Sequence, residues 1–424
     1  YIRVTQNLKL NGNIDLQGES QLLQDEGSVL DVTSAGFIEI DQQGTGDSFK
    51  YNYWGSPVGK LSITQNNAGY KISTVLRDGT DPNNIKNIDF GPSYTYADGA
   101  TTTPIKLSTY WMYKYQNKTS SDYNAWEHIG ETGDLKVGQG FTMKGSNTNQ
   151  SEQNYTFVGK PNNGTINVKI TTGNEYLIGN PYPSAIDAKQ FIRDNIAPPN
   201  GNRTCGNVID GAIYFWDHFG GGTHYLKSYE GGYAVINLTG SVPAISNNTG
   251  VESYNNSHSY RYIPVAQGFF VEAASDLVGN GDIQFRNDQR VYQTENGTNS
   301  IFFKNSKQKK SDATKDLAED TFPKIFLNYD SPENYHRVLL VGFLPQATDG
   351  YDLGYDARLN ESNSEDLYWK ADTNNLLIQA VKTLDNNRVL PLELKTAVTG
   401  LNKISINSLE NVPTDTEIFI EDLV

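Results

Sequence analysis

Two sets of phrases in this chain occur twice in the same order, about 125 residues apart. "YNYWGSPVG" at Tyr51–Gly59 returns as "YLIGNPYPS" at Tyr176–Ser184, and "VGQGFTMKG" at Val137–Gly145 returns as "VAQGFFVEA" at Val265–Ala273. An aromatic block at Tyr110–Trp126 has a looser counterpart at Ile213–Tyr229. A repeat of this length, rich in alternating apolar residues and bounded by Gly and Asn, predicts two consecutive β-modules. Duplicated β-modules build or display more often than they catalyse, and this weights the reading against a soluble enzyme.

The rest of the chain organises around that pair. In residues 1–48, Gly18, Gly27 and Gly36 fall nine apart, with short apolar groups such as Leu8/Leu10, Ile14/Leu16 and Ile38/Ile40 between them. Regular turns between short strands predict the last rungs of a β-helix or solenoid, the competing reading being an N-terminal hairpin of the next module. Residues 49–172 form β-module 1 and 173–300 β-module 2, either separate sandwiches or halves sharing a core. After "NPYPS", the spacing of Ile186, Phe191, Ile192 and Ile196 predicts one short helix. Residues 301–320 lose the alternation, and Lys304, Lys307, Lys309 and Lys310 are followed by Asp312, Asp316, Glu319 and Asp320; this reads as a charged linker. Alternation resumes over 321–424, an antiparallel β-sandwich. The expected fold is therefore all-β: the end of a β-helix, duplicated β-sandwich-like modules, and a C-terminal antiparallel β-sandwich. Both ends read as cuts through a longer polypeptide.

Charge and composition narrow the function. A net charge of −15 opposes binding to nucleic-acid backbones, which needs concentrated Lys and Arg. No apolar stretch reaches the length of a membrane helix. The single cysteine, Cys205, forms no internal disulfide, and the histidines match no zinc spacing. With 49 acidic residues any carboxylate pair can be nominated for glycoside hydrolysis, so none is, and no catalytic residues are assigned. Two groups stand out. Asp349, Asp352 and Asp356 in "ATDGYDLGYDAR" offer hard oxygen ligands in a Gly-containing loop, a candidate calcium site, against Asx-turn hydrogen bonding by the same side chains. Trp111, Trp126 and Trp216 offer rings for stacking sugars, against the commoner role of filling a core.

The phrases "YNYWGSPVG", "GQGFTMKG", "FVGKPNNG", "YLIGNPYPSAIDAKQF" and "AQGFFVEA", with "GYDLGYDARL", "LPLELKTAVTG" and "ISINSLENVPTDTEIFIEDLV" following, resemble the C-terminal region of very large surface proteins of Bacteroidetes bacteria exported by the type IX secretion system. The last stretch is similar to the start of a type A sorting domain. The resemblance implies a non-enzymatic stalk or adhesin at the cell surface or outside the cell. Its partners would be the secretion and surface-attachment machinery, and surface glycans or other cells. The rival reading is a carbohydrate-binding accessory region of a secreted glycan-active enzyme.

Overall fold

The computed structural model describes all residues except 63–64, 92–97, 120–122, 149, 247–259, 296–298, 305–320 and 423–424. The protein is all-β. Strands hold 42% of the residues and helices 6%, so helices serve only as connections, and one sheet curls into a half-barrel. The one helix of two turns among the described residues, Ala188–Asn195, is the predicted one. Asp187 caps it by accepting from the Lys189 and Gln190 N–H groups. Phe191, Ile192 and Ile196 are fully buried.

The first 45 residues pair in parallel at regular offsets. Ile2–Val4 lies beside Leu22–Gln24, Asn7–Lys9 beside Val29–Asp31, and Ile14–Leu16 beside Ile38–Ile40. Each pairing joins residues 20 to 24 positions apart. Leu10, Leu16, Leu22, Ile38 and Ile40 point inward into a core shared with Trp54, Val58, Tyr155 and Phe157. The strand Glu152–Pro161 seals the junction, running antiparallel to Ile38–Thr45 over eight residue pairs. Buried Lys160 donates from Nζ to the carbonyls of Ser34 and Gly36 and ties the turns below to that strand.

The repeated phrases make two matching antiparallel strand pairs, each joining strands distant in the chain. Tyr51–Trp54 pairs with Phe141–Lys144, placing Phe141 opposite Trp54. Asn174–Gly179 pairs with Gly268–Glu272, placing Phe269 opposite Ile178. The two strand pairs also exchange bonds reciprocally: Gly55 N–H donates to Ala266 O (2.7 Å) and Gly179 N–H to Gly138 O (3.1 Å). Isolated bridges Trp54–Gln267 and Gln139–Ile178 complete the exchange. Gly138 and Ala266, equivalent positions, both hold positive φ, at 84° and 60°.

Of the stretch expected to be a charged linker, residues 305–320, including Lys307, Lys309 and Lys310, lie outside the described residues. Its first four residues are buried. Phe302 enters the first core against Trp54, and Phe303 stacks on Phe215 in the second. Lys304 is 4% exposed and ion-paired with Glu295 and Glu152 at 3.3 and 3.6 Å. Alternation cannot reveal such a plug, because consecutive apolar side chains here enter different cores.

The strands of 324–410 hydrogen-bond into one seven-stranded sheet. Two features depart from the expected antiparallel sandwich. The strands form a single sheet, and His336–Phe343 runs parallel to Asn374–Val381. The long connection between those two strands allows the parallel return. One side of this sheet packs on the sheet of the second repeat: Tyr214, Val235, Val242 and Phe270 share a core with Leu340, Ile378 and Trp369.

Candidate binding face

Strand alternation sorts the aromatic residues by face. On Tyr51–Trp54, Trp54 turns into the first core while Tyr51 and Tyr53 point to the opposite face. On Ile213–Gly220, Phe215 is buried in the second core while Tyr214, Trp216 and His218 join Tyr51 and Tyr53. Tyr233, paired with Trp216, and Phe270, paired with Tyr214, extend the same face.

The three tryptophans singled out from sequence all lie on this face, linked through the two tyrosines. Trp126 is 5.9 Å and Trp216 6.2 Å from the Tyr53 ring, and Trp111 is 6.0 Å from Tyr51. Their settings differ. Trp126 and Trp216 are half-buried and pack against the core beneath the face. Trp111 is 6% exposed and its ring is taken by Lys144, whose Nζ lies 3.9 Å from the centroid.

Lys144 is the residue sequence reasoning passed over. Its position opposite Tyr51 in the ladder sends its side chain to the aromatic face, and that alternation was the available signal. Tyr51, Trp111 and Tyr229 surround the ammonium group at 3.9 to 4.9 Å. Nζ donates to Tyr229 Oη (2.9 Å) and meets His224 Nδ1 at 3.0 Å, while His224 Nε2 meets Asp98 Oδ1 at 2.7 Å. Burial lowers the Lys144 pKa to about 7, against the opposing pull of Asp98 and Asp47. Burial, then the charges of Lys144 and Lys50, hold His218 down at about 3, so it stays neutral while its Nδ1 accepts the Tyr51 N–H. This end of the face is a closed polar cluster. The end around Trp126, Trp216 and Tyr233 is the open one.

The three aspartates do not converge. Asp349 is exposed and binds Arg388 at 2.6 Å. Asp352 accepts from the N–H and hydroxyl of Thr348. Asp356 is fully buried, and its two oxygens accept the N–H groups of Asp352 and Ala380, both at 2.6 Å. Each carboxylate braces a turn or ladder end, and no cluster of three metal-ligating side chains occurs among the described residues. Cys205 is exposed.

A family model matches residues 82–424. The chain belongs to DUF8693, a domain family of unknown function. The DUF8693 match takes in Trp111, Trp126, Lys144, Trp216 and Tyr233 but leaves Tyr51 and Tyr53 outside it. The face is thus assembled across the limit of the DUF8693 match. No curated protein and no solved structure matches the chain.

Proposed function

We propose that this DUF8693 chain is a non-enzymatic display region, a stalk or adhesin segment. It would belong to a large surface protein of the kind exported by the type IX system, at the cell surface or outside the cell, and would hold an upstream binding region away from that surface. In this reading residues 1–48 close a β-solenoid, the two repeats are duplicated sandwich-like modules, and the terminal sheet leads into a sorting signal that engages the export and attachment machinery.

One observation carries the proposal: each segment's core is completed by the next. The parallel turns are closed by Glu152–Pro161 of the first unit. Phe302 and Phe303 enter adjoining cores, and the terminal sheet covers the second unit. Small inter-domain contacts give hinges by default, whereas shared apolar cores resist bending. A spacer that transmits force or keeps a distance needs that stiffness.

The test is a spacer experiment. A nanobody is displayed on cells either directly on an anchor or with residues 1–424 between nanobody and anchor, at equal surface density. Capture of antigen-coated beads rises with the spacer if the proposal holds. Equal capture with and without the spacer overturns it.

A further inference from the structure

The strand Lys403–Glu410 lies at the rim of the terminal sheet. It pairs antiparallel with Lys324–Asp330 along one edge, and no strand among the described residues pairs with its other edge. Such an edge presents a row of backbone N–H and C=O groups to any chain that can lie alongside. At eight residues the strand is not short enough to blunt it.

The register sorts the side chains by face. Ile404, Ile406 and Leu409 lie opposite Tyr329, Leu327 and Ile325, so all three share one face. A bulge between Ile406 and Ser408, where Asn407 has no partner in the ladder, keeps Leu409 on that face. Lys403, Ser405, Ser408 and Glu410 lie opposite Asp330, Asn328, Phe326 and Lys324 on the other face. Tyr329, Leu327 and Ile325 are buried, whereas Ile406 and Leu409 are 49% and 46% exposed. The apolar face therefore runs out to the unpaired edge without cover. Scattered apolar residues are normal on a surface, but neighbours on one face of an open edge make a contact surface.

The strand is complementary to itself. Laid antiparallel on a second copy so that Ile406 meets the partner's Asn407, Lys403 falls opposite the partner's Glu410. Ile404 then falls opposite the partner's Leu409, and Ser405 opposite the partner's Ser408. Each opposed pair comes from one face, so apolar meets apolar and charge meets opposite charge, twice over by symmetry. A slip of two residues either way loses both ion pairs. The paired edge already uses the same scheme, with Lys403 3.8 Å from Asp330 and Glu410 3.5 Å from Lys324. We propose that two copies of this chain associate edge to edge through Lys403–Glu410 in this register, joining their terminal sheets into one continuous sheet. This interface goes beyond the display reading and stands without it.

Sedimentation of the whole chain at micromolar to submillimolar concentrations should show a reversible monomer–dimer equilibrium. Lys403→Glu and Glu410→Lys each set like charges opposite one another at both ends of the pairing, and each should weaken self-association by about tenfold. An equal mixture of the two variants should recover the association as a heterodimer, because each supplies the charges the other lacks. Glu410 also pairs with Lys324, so Ile406→Lys, at an exposed position, gives a variant that leaves both ion pairs in place. It should weaken the dimer by about tenfold as well while keeping the wild-type melting temperature. A wild-type chain that stays monomeric throughout overturns the proposal. So does a dimer indifferent to Lys403→Glu and Ile406→Lys, which puts the interface elsewhere, or a mixture of the two folded charge variants that stays monomeric. Bead capture by a displayed nanobody and sedimentation read different properties, so the failure of either leaves the other standing.

Discussion

Lys144 Nζ sits 3.9 Å from the centre of the Trp111 ring and is 3% exposed as a residue. An ammonium so enclosed is stabilised by three ring faces yet loses its hydration, and the loss wins: its pKa falls from 10.5 to about 7. The folded state therefore binds this proton less tightly than the unfolded chain. The contribution to stability is fully present above pH 10.5 and is lost as pH falls through 7. Chemical denaturation of wild type and Lys144→Met across pH 6.5–10.5 should show wild-type stability rising relative to the variant as pH rises. Parallel profiles would contradict this account. Taking the difference removes the effects the two proteins share, such as the raised pKa values of buried Tyr51 and Tyr229.

The junction beneath the terminal sheet should respond in the opposite direction. Burial, then the charge of Glu175, raises the Glu272 pKa to about 7, and burial, then Glu272, raises that of Asp210. Raised carboxyl pKa values give stability that is fully present below about pH 4.5 and is lost as pH rises through 7. Thermal melts at pH 5 and pH 8 should show a smaller difference for Glu272→Gln than for wild type. An equal difference in both proteins would show that Glu272 is not the titrating group.

Gly55 and Gly179, equivalent positions in the two repeated phrases, meet back to back. A Cβ on Gly55 would lie 2.8 Å from the Gly179 Cα, and one on Gly179 would lie 2.5 Å from the Gly55 Cα. Both neighbours are backbone and cannot swing aside. Gly55→Ala and Gly179→Ala should each cost about 1–3 kcal/mol or more. A denaturation midpoint unchanged in either variant would mean the two strand pairs can separate freely.

Asp356→Ala strips the acceptors from the buried Ala380 N–H and the partly buried Asp352 N–H. A loss of about 2–4 kcal/mol is expected in urea denaturation. The loop's carboxylates already have partners, so calcium titration should give the same isotherm for wild type and Asp352→Ala. Heat that disappears only in the variant would instead assign the ion to this loop.

Much of the scaffold could be read in one dimension because its signals are local. The capped helix at 188–195 and the alternating strands depend on neighbours a few residues away. The aromatic face was half legible. Trp111, Trp126 and Trp216 were found by residue type, but the partition between closed and open ends was not. It depends on Lys144, Asp98 and His224, which lie 46 to 126 residues apart in the chain. The burial of Phe302 and Phe303 was hidden by the charged run that follows them.

The sequence by itself determined the strand-rich composition, the duplication and the residues that must alternate between faces, since each follows from short-range periodicity and from the restricted backbone of Gly, Pro and Asn. Only the tertiary structure decided which copies of the repeat touch. Gly55 meets Gly179, and each strand pair hydrogen-bonds to the glutamine segment of the other. That choice is made by steric fit and by hydrogen bonds between segments about 40 to about 210 residues apart, and no periodicity along the chain encodes it.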